Sequence, residues 1–147
     1  MERSQVLFKT VSKNKIEERV MITVFYDGKC GLCSKEINHY RKVAPDCIFE
    51  WQDITQSADD LNRCGIPLSQ GLKLLHVMDN KGNFYVGVDA FIMIWKQLPR
   101  WRVLAVIVSL PIIWHITNVA YKIFANWRFK RLEHCQIALK NETDQRN

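Results

Sequence analysis

One stretch constrains this chain more than any other. Ile22-Thr-Val-Phe-Tyr26 is a run of β-branched and aromatic residues, Asp27-Gly28 is a tight turn, and Cys30 and Cys33 follow at the head of an amphipathic segment reaching about Val43. A strand that feeds through a short turn into a helix start fixes where the two cysteines sit. The spacing predicts Cys30 at the helix N-terminus and Cys33 one turn further in, on the same face. Strand, turn and CxxC together make the layout of a thiol–disulfide exchange site.

The chemistry follows from that placement. Free backbone N–H groups and the positive end of the helix dipole favour a thiolate over a thiol. Cys30 is therefore expected to be the exposed attacking nucleophile, and Cys33 the less exposed thiol that resolves the mixed disulfide. Lys29 adds positive charge beside Cys30, whereas the Asp27 carboxylate opposes thiolate formation. A structural metal site would need two more ligands. Cys47, Cys64, Cys135, His39 and His134 are available, but none forms a second close pair of structural-zinc spacing. No metal and no organic cofactor is expected. Cys47 and Cys64 read as buried small apolar residues. His134-Cys135 reads as an isolated pair near the C-terminus with no ligand role.

The rest of the chain builds a sheet around the first strand. Cys47-Ile-Phe-Glu-Trp51 reads as a second strand, completing a β–α–β unit that puts the CxxC loop at the C-terminal end of the first. Asp53 then either caps the next element or faces the active-site edge. Ser57 to Cys64 is a short helix, and Leu72 to Met78 a third strand. Asp79-Asn-Lys-Gly82 turns the chain into an antiparallel strand, Asn83 to Val86. Asp89 reads as the N-cap of a helix running to Leu98, with Trp95 in the core. The expected fold class is α/β: a thioredoxin-like β-α-β-α-β-β-α core with additional C-terminal helices. Thioredoxin itself places a cis proline immediately before its third strand, a position that here falls near Gly71, with Pro67 too early in the chain.

Val103 to Tyr121 contains no Asp, Glu, Lys or Arg. Length alone would allow a membrane helix, but Pro111 divides the run and His115, Thr117 and Asn118 populate its second half. Two helices broken near Pro111 are expected. Tyr121 to Arg131 continues as an aromatic, basic helix that could bring Tyr121 or Arg128 beside the sulfurs. The expected organisation is an N-terminal extension over 1–20, a single domain over 21–132 and a tail over 133–147, its last eight residues disordered.

Composition narrows the function classes. The 147 residues are 48% apolar and 24% charged, which suits one globular domain. Five cysteines cannot all pair within one chain, so a reducing compartment, the cytoplasm, is expected. The first twenty residues show no apolar core of a secretory leader. The net charge of +6 lies outside the CxxC region: residues 101–147 carry seven basic and three acidic side chains. No nucleic-acid motif accompanies it, so no nucleic-acid partner is expected.

These motifs together resemble the DCC family of predicted thiol–disulfide oxidoreductases, named for an aspartate and two cysteines in the pattern D-x-x-C-x-x-C. Phe25-Tyr26 precedes that motif here, and Asp27, Cys30 and Cys33 fill it. Asp53, the pairing of Asp79–Gly82 with Gly87-Val-Asp-Ala90, Leu110-Pro111, Tyr121 and Arg128 match the later motifs over roughly Ile22 to Lys130. In the last motif many relatives carry two arginines after an alanine, where this chain has Ala125-Asn-Trp-Arg128. The resemblance implies an intracellular or membrane-adjacent redox protein.

The expected function is disulfide exchange with a disulfide-containing protein or a small thiol. Cys30, Cys33 and Asp27 carry the chemistry, while Tyr26, Gly28, Trp51, Asp53, Tyr121 and Arg128 shape the site. The rival is a non-catalytic binding or scaffold protein on the same core, meeting a membrane surface through its C-terminal helices.

Overall fold

The computed structural model describes residues 22–147. The expected N-terminal extension lies outside them. Four strands form one mixed sheet in the order β2-β1-β3-β4, with β1 at Ile22–Tyr26, β2 at Phe49–Asp53, β3 at His76–Met78 and β4 at Phe84–Val86. β1 and β2 are parallel, and β3 runs against both β1 and β4. Seven helices accompany the sheet among the described residues: α1 (Gly31–Val43), α2 (Asp59–Arg63), α3 (Leu68–Lys73), α4 (Val88–Gln97), α5 (Arg102–Val108), α6 (Pro111–Arg131) and α7 (Glu133–Arg146). This mixed α/β architecture is consistent with the expected thioredoxin-like fold.

β1 is the central strand and has apolar neighbours on both faces, as a strand covered on two sides must. Ile22 and Val24 join Ile37 and Tyr40 of α1 and Ile94 and Leu98 in one core. Phe25, on the other face, meets Ile54, Leu61, Leu72, Phe129 and Cys135 in a second. The indole N–H of Trp95 donates to the Tyr40 hydroxyl at 3.0 Å, giving the half-buried tryptophan the partner that burial requires.

Several elements differ from the sequence reading. β2 begins at Phe49 because Cys47 sits at a positive φ of 64°, prolonging the turn after Pro45. Asp53 is thereby the last residue of that strand, paired with Tyr26 in the parallel register. The apolar run at Leu72 is the end of α3, so β3 holds only three residues. Gly71 explains the close seat of that helix: a Cβ there would lie 2.5 Å from Leu61 Cδ2 and 2.9 Å from Ile54 Cδ1. Pro67 caps the start of α3, and there is no cis peptide bond among the described residues. Asp89 stands inside the first turn of α4 and accepts the indole N–H of Trp114 at 2.8 Å, tying α4 to α6. Cys47 and Cys64 are exposed, because one lies in a turn and the other closes α2 ahead of Gly65.

The break at Pro111 is present: α5 and α6 meet at 94°, and no single helix among the described residues is long and apolar enough to cross a membrane. The expected tail is instead the helix α7. Glu142 fastens it to α3, accepting the backbone N–H of Ser69 at 2.9 Å and the Ser69 hydroxyl.

Candidate active site

The site is assembled on the loop leaving β1. Asp27 turns back on that loop, its Oδ1 accepting the backbone N–H groups of Lys29 at 3.0 Å and Cys30 at 3.2 Å. This local turn explains an aspartate at that position, since its side chain replaces backbone partners that the strand has left behind. Gly28 sits between two elements. Its N–H donates to Asp53 Oδ1 at 3.1 Å, and its carbonyl accepts the Ser34 hydroxyl at 2.8 Å. A Cβ on Gly28 would fall 1.8 Å from Asp53 Oδ2, so only glycine fits. Asp53 also accepts the backbone N–H of Thr55 at 2.9 Å and its hydroxyl at 2.6 Å, so one carboxylate holds the CxxC loop against the end of β2.

Cys30 is the N-cap of α1, with its Sγ accepting the backbone N–H of Cys33 at 3.4 Å. That is the contact a helix start offers to a charged sulfur. Both cysteines are free thiols. Their exposures reverse the expectation: Cys30 is only 3% exposed, while Cys33 is half-buried and lines a cleft. α6 and α7 fold back onto the β1 loop, Arg128 and His134 both meeting Asp27. Burial first, and then its hydrogen bond to Cys30, push the Cys33 thiol far above the ordinary cysteine range, with the Arg128 charge opposing them. Cys33 thus keeps its proton at neutral pH.

Arg128 and His134 bring the site its remaining ionisable partners. Arg128 is buried and contacts Asp27 Oδ2 at 3.5 Å through Nη1. Its Nη2 donates to the carbonyls of Leu72 at 2.7 Å and Lys73 at 2.9 Å, satisfying the end of α3. Burial opposes its charge, but the sulfurs of Cys33 and Cys30 outweigh burial and raise its pKa. His134 Nε2 lies 2.9 Å from Asp27 Oδ1 and 2.8 Å from Oδ2. The fully buried Cys135 points its sulfur at the same carboxylate, 3.7 Å from Oδ2, and burial followed by the Asp27 charge pushes its thiol up to about 12. His134 and Cys135, read from sequence as an isolated pair, are therefore part of the site.

Asp27, His134 and Cys135 are also a donor set that a metal ion could use, all within 4.8 Å of one another. Their hydrogen bonds and the Arg128 guanidinium on the same carboxylate already satisfy the cluster. Among the described residues no buried side-chain N or O atom lacks a partner.

The expected residues divide into those the fold gathers and those it does not. Asp27, Cys33, Tyr26, Tyr121 and Arg128 line one narrow cleft together with Phe91 and Phe124. Tyr121 accepts the backbone N–H of Leu75 at 3.1 Å and so pins α6 to the chain entering β3. Tyr26 accepts from Arg41 at 2.8 Å, and that guanidinium also lies over the Trp51 ring. Trp51 packs on Phe49, outside the cleft lining. His134 was missed because contact with Asp27 spans 107 residues of chain. The signal available was the helical spacing of Cys135, Ala138 and Glu142, which marks an inward face.

A mixed α/β fold with a CxxC pair at a helix start is the layout shared by proteins of thiol–disulfide chemistry. The family model described as DCC1-like thiol-disulfide oxidoreductase matches residues 24–133, and the chain belongs to that family. Comparison with curated proteins and with solved structures finds no match.

Proposed function

We propose that this protein exchanges disulfides through Cys30 and Cys33, on a core of thioredoxin-like topology. The observation that carries the proposal is the charge arrangement at the helix start: a capping sulfur receives a backbone N–H, and a buried arginine faces both cysteines. In the reductive direction, the Cys30 thiolate attacks one sulfur of a substrate disulfide. A Cys30–substrate bond forms, the substrate S–S bond breaks, and its other sulfur leaves as a thiolate. Cys33 then gives up its proton and attacks the Cys30 sulfur. The substrate's second sulfur departs, and the protein is left oxidised with a Cys30–Cys33 disulfide.

Asp27 and His134 are the route for the Cys33 proton. Asp27 is the carboxylate whose charge acts on Cys33, and the partly exposed His134 joins it to solvent. Charge sets the order of attack, and access limits its rate, because Cys30 is covered and the substrate must enter along the cleft beside Cys33. The substrate is a disulfide-containing protein or, in the reverse direction, a small thiol that reduces the Cys30–Cys33 disulfide, and no metal or organic cofactor takes part. An odd number of cysteines, five, suits a reducing compartment such as the cytoplasm. The scaffold reading has exposed apolar helices in its favour, but it gives no use to a thiol pair at a helix start.

The test is trapping. Cys33→Ser is expected to accumulate mixed disulfides through Cys30, and Cys30→Ser to accumulate none. Absence of mixed disulfides in both variants, together with failure of the Cys30–Cys33 pair to oxidise in any glutathione buffer, would overturn the proposal.

A further inference from the structure

The outward face of α6 is apolar from Ile112 to Trp127. Ile112, Ile116, Val119, Ile123 and Trp127 are each between 53% and 77% exposed. At 3.6 residues per turn they fall within an arc of roughly 80°. Val103, Val106 and Leu110 continue exposed apolar surface along α5 and the bend. A row of large apolar side chains in water is not the ordinary scatter of surface hydrophobics. The opposite side of α6 carries Tyr121 and Arg128 into the cleft and is fully used.

The charges around this face identify its partner. From Pro99 to Arg131 the chain contains no Asp or Glu, while Arg100, Arg102, Lys122, Lys130 and Arg131 are all exposed. Lys122 flanks the apolar arc on one side and Arg131 on the other. The Arg131 guanidinium sits over the Trp127 ring, 4.5 Å from its centroid. Apolar side chains edged by cations, with a tryptophan at the boundary, are the composition of a helix lying in a lipid headgroup layer. A second copy of the chain would bring the same cations against this cationic rim, whereas anionic lipid neutralises it.

We infer that α5 and α6 dock this protein on an anionic membrane surface, with α6 lying along it and not crossing it. The surface is independent of the cysteines, so the inference stands or falls separately from the redox proposal.

The experiment is co-sedimentation of the full-length reduced protein with vesicles of phosphatidylcholine alone or mixed with phosphatidylglycerol. Partitioning onto the mixed vesicles is expected to exceed that onto phosphatidylcholine by tenfold or more, and to fall as salt is raised. Ile116→Asp with Ile123→Asp should reduce partitioning at least tenfold. Lys130→Glu with Arg131→Glu should abolish the preference for anionic lipid. Both pairs are exposed, so circular dichroism and the melting temperature should stay unchanged. Three results would overturn the inference. One is no partitioning of the wild type. Another is equal partitioning of wild type and variants. The third is a dimer in sedimentation velocity, lost in the isoleucine variant, without lipid binding.

Discussion

Replacing Gly28 with alanine tests the frame of the site with a single methyl group. Gly28 does not occupy the left-handed backbone region, so the substitution carries no backbone strain. Its whole effect is contact with Asp53. The new Cβ would lie 1.8 Å from Oδ2, 2.2 Å from Cγ and 2.5 Å from Oδ1, so the carboxylate must leave its place. Leaving breaks its bonds to Gly28 N, Thr55 N and the Thr55 hydroxyl. At a half-buried carboxylate, where water can replace part of each bond, the loss is about 1 kcal/mol apiece. Alanine's smaller unfolded-state entropy returns about 0.5 kcal/mol. The expected net destabilisation is about 2–3 kcal/mol, read as a fall in the urea midpoint at constant slope. A double-mutant cycle supplies the decisive number. With Asp53→Ala already present, Gly28→Ala should change stability by less than about 0.5 kcal/mol, a coupling of roughly 2 kcal/mol. An equal loss in both backgrounds would refute the reasoning.

Arg128→Met should cost about 3 kcal/mol by leaving a buried carboxylate and two carbonyls without their shared partner, measured by urea unfolding. The same variant should slow alkylation of Cys30 by iodoacetamide at neutral pH, since a nearby cation favours the thiolate. His134→Gln should leave the Cys30 attack rate unchanged and slow resolution of the mixed disulfide in stopped-flow. Cys135 makes a stability prediction. Its folded pKa is raised to about 12, above the unfolded cysteine value near 8.5. The unfolded chain therefore loses this proton first. Its stabilising contribution is complete below about pH 8.5 and disappears as pH rises toward 12. Cys135→Ala should make the alkaline limb of a stability–pH curve shallower than the wild type's.

What the sequence disclosed and what it hid divide along chain distance. The β1–turn–CxxC–α1 unit was legible because each signal is local: β-branched residues, an Asp-Gly turn and a helical period. The local sequence left Asp53 open between a cap and the active-site edge and offered Arg128 only as one of two residues beside the sulfurs; the ordered family pattern picks out both. β3 was misjudged because Leu72, Leu74 and Leu75 satisfy a strand pattern, while the spacing of Leu68 and Leu72 satisfies a helix. Packing of Gly71 against Leu61 decided between them. The exposure of Cys30 was misjudged for a different reason. A helix start is open by its own geometry, and only the folded chain reveals that this one is covered. Residue type predicts Cys47 and Cys64 inside, and turn geometry puts both outside.

Arg128, His134 and Cys135 meet the Asp27 loop across separations of 101 to 108 residues. A ribosome makes the thiol pair about a hundred residues before its electrostatic companions. Throughout synthesis the nascent polypeptide therefore carries two cysteines without the guanidinium and imidazole that give the finished site its character. Reactivity of the mature kind arrives only as the closing helices settle on the sheet. Truncation just before Arg128 would leave all four strands and both cysteines but remove the guanidinium and imidazole that meet Asp27.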